Sequence, residues 1–167
     1  MKKRMYGYVV MALTMLAALL MAGCGSSVTE KTQAAAVTFK NSSLLISVSE
    51  LAANINDANQ AIIDVRSATA YAAGHIKNAV NLPPGTFDKG TTMPLMDLIA
   101  PADIANILGA AGVSNSKKII VYGAGVDANA GRVFWMLEYL GATDVHVLDG
   151  GYDKWVSDVR ATVTTST

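Results

Sequence analysis

Short apolar runs alternate with helical patterns along most of this 167-residue chain. Three of these runs are the clearest, at 61–65, 118–122 and 144–148, and a briefer one at 79–82 stops at Pro83. Apolar residues at consecutive positions are typical of parallel strands that are covered on both faces. The sequence therefore predicts an α/β fold with a central parallel sheet flanked by helices on both faces.

Helices are predicted between these runs from caps and from a 3.6-residue period. The segment 47–50, Ser-Val-Ser-Glu, has the spacing of a capping box, in which the Ser47 hydroxyl and the Glu50 carboxylate both satisfy free amides. The predicted helices are 47–56, 68–73, 101–111, one from near Ala130 to the stop at Gly141, and a last one that carries Trp155.

Residues 1–23 differ from the rest of the chain. They begin Met-Lys-Lys-Arg, and an apolar stretch over 9–21 follows, which is shorter than the about 20 residues of a spanning helix. With the box 20–24, Leu-Met-Ala-Gly-Cys, this segment resembles a bacterial lipoprotein signal peptide. That resemblance implies a mature chain that begins at a lipidated Cys24. The alternatives are an ordinary secretion signal with an incidental cysteine and an uncleaved membrane anchor.

The lipoprotein resemblance implies an exported protein held at the periplasmic face of the cell envelope by the lipid on Cys24. The residue after the cysteine is Gly25 rather than the Asp associated with inner-membrane retention, which favours the outer membrane. Residues 24–43 have the composition of a flexible tether, 44–157 form the predicted domain, and 158–167 read as a tail or the start of a linker.

Charge and cysteine content exclude several classes of protein. Residues 1–23 carry three of the 13 basic side chains, so the remainder has ten against 13 acidic ones. A mildly acidic chain argues against nucleic acid as a partner. The single cysteine excludes a disulfide within the chain and a cysteine-rich zinc site. We predict neither a cofactor nor a metal.

The loop after the strand 118–122 is the candidate ligand-binding site, because ligands of parallel sheets bind at the carboxyl ends of strands. Its glycines allow backbone amides to approach a small oxyanion, and an arginine lies in the first turn of the next helix. Alternatively, the glycines are turn residues and the arginine pairs with a carboxylate. The glycine spacing fits neither a P-loop nor a dinucleotide-binding turn. The candidate residues are Gly123, Ala124, Gly125, Val126, Asp127, Ala128, Asn129, Ala130, Gly131 and Arg132.

Two groups of motifs resemble rhodanese-like domains. The first group is Ile-Asp-Val-Arg at 63–66, Tyr71, Gly-His-Ile at 74–76 and Ala-Val-Asn-Leu-Pro at 79–83. The second group is Val-Tyr at 121–122, Arg132, Gly141 and Val-Leu-Asp-Gly-Gly-Tyr-Asp-Lys-Trp at 147–155. The resemblance covers about 44–157. It implies the rhodanese fold and, in active members, a sulfurtransferase reaction in which a cysteine carries a persulfide.

The resemblance also locates a departure from active members. These place the nucleophilic cysteine directly after the strand, where this chain has Gly123, so no catalytic residue is assigned. The segment 130–136 is similar to the non-catalytic N-terminal half of two-domain thiosulfate and 3-mercaptopyruvate sulfurtransferases. Within the family the Asp64 and Arg66 pair and His75 are mostly structural, and we expect the same here.

The remaining polar and aromatic candidates are expected to have structural rather than functional roles. Asp127 is expected to be an exposed loop residue with little catalytic power. His146 is expected to point to one sheet face or an edge, and Trp135 and Trp155 are expected to be packing residues.

Two functions fit the sequence. The first is a membrane-anchored, non-catalytic module that binds a small anion or a partner protein. The second is a component of a sulfurtransferase whose catalytic cysteine lies on another domain or chain, with a second rhodanese domain as the partner.

Overall fold

A computed structural model describes residues 41–90, 97–159 and 162–163. The predicted signal peptide 1–23, Cys24 and the tether up to residue 40 lie outside the described residues. Within the described ranges, no helix combines the length and the apolar character needed to cross a membrane.

The described elements follow the alternation predicted from the sequence. The strands are β1 (Leu45–Ile46), β2 (Gln60–Asp64), β3 (His75–Ile76), β4 (Ala79–Asn81), β5 (Lys118–Tyr122), β6 (Val145–Leu148) and β7 (Thr162–Val163). The helices are α1 (Val48–Ala53), α2 (Ala68–Ala73), α3 (Pro101–Ala110), α4 (Ala128–Tyr139) and α5 (Gly151–Asp158), with 3₁₀ turns at Ser42–Leu44 and Pro84–Phe87.

Five strands form one parallel sheet in the order β1-β6-β5-β2-β4. Strand β5 lies at its centre, with Asp64 of β2 opposite Tyr122 and Val147 of β6 opposite Val121. The carboxyl end of β5 is therefore flanked by the ends of β2 and β6, and the loop that follows it is surrounded by their neighbouring residues.

Alternate residues of the central strands pack against two different helical layers. Ile63 and Val121 share one core with α3 and α4, whereas Ile62 and Ile120 share the other with α1 and α5, including Trp155. Both layers bury apolar side chains, which explains why the strands are apolar at consecutive positions. The predicted parallel sheet with helices on both faces is confirmed.

Both ends of the predicted domain were placed too far inward. Residues 42–44 form a 3₁₀ turn that leads directly into β1, although the sequence assigned 42 and 43 to the tether. At the other end, β7 pairs antiparallel with β3, although residues 158–167 were predicted to be a tail. Short polar segments carry no periodic signal, and only their tertiary partners order them.

The capping box is only half formed. The Ser47 hydroxyl accepts a hydrogen bond from the Glu50 amide at 3.1 Å, as predicted. The Glu50 carboxylate instead binds the Lys118 ammonium at 2.8 Å, and α1 ends at Ala53 rather than near residue 56. Glu50 thus joins the helix to the start of β5, a contact between residues far apart in the sequence.

Candidate functional site

A buried ion pair lies beside the end of β5. The Asp64 carboxylate is fully buried, and the Arg66 guanidinium donates to both of its oxygens, at 2.6 Å from Nη2 to Oδ2 and 3.0 Å from Nε to Oδ1. Arg66 Nη2 also donates to the Gly74 carbonyl at 2.7 Å, and its guanidinium carbon lies 3.6 Å from the centre of the Tyr152 ring. All of these partners belong to the chain itself, which fits the structural role expected of the pair.

Tyr122 extends this network into the core. Its side chain is fully buried, and its hydroxyl accepts a hydrogen bond from the Ile76 amide at 3.1 Å. Burial raises the pKa of Tyr122 well above its usual value, and the charge of the Asp64 carboxylate raises it further. The folded protein therefore keeps the Tyr122 proton under conditions in which an unfolded chain loses it.

Stability is accordingly expected to fall as the pH rises past about 10, by up to about 1.4 kcal/mol per pH unit for one such tyrosine. The sign follows because the unfolded state binds fewer protons than the folded state there. Denaturant unfolding of the chain and of Tyr122→Phe across pH 8–11 measures this dependence. We expect the variant to be less stable near pH 8, because the Ile76 amide loses its acceptor, and its slope with pH should be shallower. Equal slopes would contradict the assignment.

The loop after β5 folds back onto the start of α5. Its Gly123 and Ala124 carbonyls accept hydrogen bonds from the Tyr152 amide at 2.9 Å and the Asp153 amide at 2.7 Å. Gly151 has a φ of +58°, and a Cβ there would lie 2.7 Å from the Gly125 carbonyl oxygen. Two amides at the start of α5 are therefore bound to the loop itself.

The carboxyl group of Asp127 fills the space in front of Gly123. Its Oδ1 accepts a hydrogen bond from the Asn129 amide at 2.8 Å, so Asp127 caps α4, which begins at Ala128 rather than near Ala130. A Cβ on Gly123 would lie 2.5 Å from the Asp127 Cγ and closer still to its Oδ2. Asp127 is thus a half-buried capping residue, not the exposed loop residue expected, and a side chain at position 123 would require the Asp127 side chain to move.

The guanidinium of Arg132 is bound by a carboxylate from outside the loop. It forms a two-point ion pair with Asp88, in which Nη2 contacts Oδ1 and Nη1 lies 3.4 Å from Oδ2. Both side chains are mostly buried. This is the second of the two roles that the sequence left open for Arg132, namely pairing with a carboxylate.

Carboxylates surround the loop. Asp127 and Asp149 line a cleft of about 310 Å³ beside it, and the Asp153 Oδ2 lies 3.2 Å from the position that a Cβ on Gly125 would take. Since the charge of Arg132 is already matched by Asp88, these carboxylates give the cleft a negative character. Such a surface repels a small oxyanion.

Comparison with known proteins assigns the family. The family model of the rhodanese-like domain matches residues 47–158. The chain belongs to the rhodanese-like domain family. It is 31% identical over 123 residues to a thiosulfate sulfurtransferase of Pseudomonas aeruginosa, a match that covers 74% of this chain and 45% of that protein. A thiosulfate sulfurtransferase of Azotobacter vinelandii is 28% identical over 123 residues, covering 73% and 45%.

A solved structure agrees with this assignment. SseA from Escherichia coli, described as a 3-mercaptopyruvate sulfotransferase with the rhodanese fold, superimposes with a TM-score of 0.66 at 30% identity. The match covers 74% of this chain and 51% of SseA. This rhodanese-like domain chain thus spans about half the length of the relatives that it matches.

The histidines of this rhodanese-like domain are held by internal contacts. His75 is buried, its Nδ1 lies 3.0 Å from the Tyr71 carbonyl oxygen, and its ring stacks on Tyr71. His146 contacts the Ser43 carbonyl oxygen through Nδ1 and the Asp144 carboxylate through Nε2, both at 2.7 Å. Among the described residues, no group of three or more metal-ligating side chains comes together.

The prediction for the two tryptophans was half wrong. Trp155 is 1% exposed and packs in the core as predicted, but Trp135 is 71% exposed. Sequence reasoning also missed Asp88 and Tyr152 as partners of Arg132 and Arg66. Asp88 lies 44 residues from Arg132 outside any motif and gave no signal, whereas Tyr152 belongs to the motif at 147–155 and could have been considered.

Proposed function

We propose that this chain is a membrane-anchored, exported rhodanese-like module that binds a partner and does not itself transfer sulfur. The observation that carries the proposal is the Asp127 carboxyl group in front of Gly123, the position at which active relatives are expected to place the cysteine. The chain's one cysteine, Cys24, precedes the domain and is the proposed lipidation site. A lipidated cysteine is a thioether, which cannot form the thiolate that sulfur transfer needs.

Within this proposal, a protein partner is favoured over a small oxyanion. The arginine that would attract an anion is paired with Asp88, and the cleft beside the loop is lined by Asp127 and Asp149. An oxyanion entering there would meet two carboxylates and no unmatched guanidinium. The loop is therefore proposed as a rigid structural element rather than an anion-binding site.

The alternative is a subunit or half of a sulfurtransferase whose cysteine is carried by another domain or chain. It is supported by the 45% coverage of the Pseudomonas aeruginosa thiosulfate sulfurtransferase, which leaves more than half of that protein without a counterpart here. In that case this domain would shape a cleft and another domain would supply the persulfide.

A thiosulfate-to-cyanide sulfur-transfer assay on the full chain tests the proposal. We expect no thiocyanate above the buffer rate, because no thiol lies in the fold. Gly123→Cys alone is also expected to be inactive, since its side chain overlaps Asp127. The double variant Gly123→Cys, Asp127→Gly frees that space, and we expect alkylation of the thiol at position 123, with little turnover because Asp149 still faces the cleft and Arg132 is still paired with Asp88.

The control is Asp127→Gly alone, which opens the space without a thiol and should remain inactive. Turnover by the unmodified chain would overturn the non-catalytic assignment. Full activity of Gly123→Cys alone would show that Asp127 does not block position 123. Turnover that appears only after a second rhodanese domain is added would favour the alternative.

A further inference from the structure

Large apolar side chains are exposed along one continuous strip of the domain. The strip starts at the edge strand β1 and its preceding turn, crosses the tip of the loop after β5, and follows the outer face of α4. Trp135 is 71% and Tyr139 77% exposed, and Val126 at the loop tip is fully exposed. The members of this apolar strip are Leu44, Leu45, Val126, Trp135 and Tyr139.

The strip is contiguous for two reasons. Leu45, Val126 and Gly131 line the same cleft of about 310 Å³, which joins β1 and the loop to the first turn of α4. Gly131, Trp135 and Tyr139 then follow at four-residue intervals, which places them on one face of the helix. Val126 forms part of the cleft wall, whereas Trp135 and Tyr139 are not among the residues that line the cleft.

The charges around the strip exclude some classes of binding partner. The cations next to the loop are already paired, Arg132 with Asp88 and Lys154 with Asp158. The charged residues that flank the strip, Asp127, Glu138 and Asp149, are acidic. The strip therefore attracts neither nucleic acid nor a strongly anionic surface, and its contacts must be mostly apolar and aromatic.

We infer that the apolar strip rests on the headgroup region of the membrane to which the chain is attached. This inference rests on the proposed lipidation of Cys24. Tryptophan and tyrosine have an apolar ring and a polar edge and are enriched at membrane–water interfaces. An exposed tryptophan and tyrosine one helical turn apart, beside a protruding valine, match that chemistry.

The point at which the chain enters the domain lowers the entropic cost of this membrane contact. Residues 24–40 reach at most about 60 Å when fully extended, and the described chain enters at Asn41–Leu45, which is the β1 end of the strip. An anchored strip therefore meets the bilayer at a high effective concentration. An apolar contact too weak to hold the free protein on a membrane is sufficient once the chain is anchored.

Tryptophan quenching in vesicles tests the inference. The full chain is placed in phosphatidylcholine vesicles with or without lipids brominated near the headgroup end of the acyl chain. The chain has two tryptophans, and Trp155 is buried in the core. We expect brominated lipid to remove about half of the total emission, the share of one interfacial tryptophan. Because the charged residues that flank the strip are acidic, added anionic lipid should not increase the quenching, and 0.5 M salt should not reduce it.

Matched variants identify the tryptophan responsible. Trp135→Phe leaves only Trp155, and we expect brominated lipid to have no effect on it. The second control is Trp135→Phe, Val156→Trp, because Val156 is exposed on α5 in the opposite helical layer. Its tryptophan should remain unquenched by lipid yet accessible to acrylamide. Quenching at 156 equal to that at 135 would mean non-specific contact and would overturn the inference.

The anchor and the strip are tested separately. If Cys24 carries lipid, the chain co-floats with vesicles, begins at Cys24, and has a mass that includes the acyl groups. If Cys24 is instead a free thiol, the proposed anchoring is wrong, and the same chain is coupled through Cys24 to a maleimide lipid so that the strip is still tested. If the lipidated or the maleimide-coupled chain is bound to vesicles and Trp135 is not quenched, the inference is overturned. Protection of Trp135 by an added second rhodanese domain, without lipid quenching, would assign the strip to a protein partner instead.

Discussion

Replacing Arg66 by methionine is expected to lower the free energy of unfolding by about 3–5 kcal/mol, because it leaves a buried charge without its partner. The Asp64 carboxylate is fully buried and receives two-point hydrogen bonding from the guanidinium. Arg66 also packs over the Tyr152 ring and binds the Gly74 carbonyl. Equilibrium denaturation of the full chain, followed by circular dichroism, measures the loss.

Lys89→Met provides the matched control. Lys89 and Asp97 form a similar pair at 2.9 Å, but both side chains are more than half exposed. Exposed pairs of this kind contribute about 0–1 kcal/mol. The double variant Asp64→Asn, Arg66→Met removes both charges and should recover part of the stability. A loss below that of Lys89→Met would contradict a structural role for the buried pair.

Gly151→Ala is expected to cost about 2–4 kcal/mol, since it combines backbone strain with steric overlap. Gly151 has a φ of +58°, and an added Cβ would lie 2.7 Å from the Gly125 carbonyl oxygen and 2.8 Å from that of Gly123. These are backbone atoms, which cannot move without moving the loop. The loop would have to leave the start of α5 and lose its bonds to the Tyr152 and Asp153 amides. Denaturant unfolding and hydrogen exchange of those two amides measure the effect.

Gly109→Ala separates this effect from a general response to alanine. Gly109 lies inside α3, and a Cβ there would have no atom within 4 Å. We expect this variant to be stabilised by about 0.5–1 kcal/mol, the helical preference of alanine over glycine. Equal effects at 109 and 151 would refute the proposed packing of the loop against α5.

Elements with a local signal were predictable from sequence. The strand Lys118–Tyr122 and the helix Ala68–Ala73 match their predicted bounds, because the apolar run of the strand and the stop at Gly74 after the helix are local signals. Where the interaction partner of a side chain lies far away in the sequence, the prediction was incomplete or wrong. Glu50 was expected to cap its own helix, yet Lys118 binds it from the start of β5.

In the candidate site, too, local features were predictable from the sequence and contacts with distant residues were not. The sequence located the loop after β5 and the glycine where active relatives are expected to carry a cysteine. It left open whether Arg132 faces an anion or a carboxylate, and the fold brings Asp88 to it from 44 residues away. Asp127 was expected to be exposed, but its side chain turns back over Gly123 because it caps α4. The spacing of four residues permits that contact without requiring it.

By itself, the sequence determined the family, the parallel α/β sheet and the lack of any cysteine within the fold, because these depend on residue identity and on local periodicity. Only the tertiary structure decided that Arg132 pairs with Asp88, that Asp127 blocks position 123, and that Trp135 faces outward while Trp155 is buried. These outcomes depend on which surfaces meet in space. Side chains with the same composition and spacing become core, cap or exposed surface according to the element that packs against them.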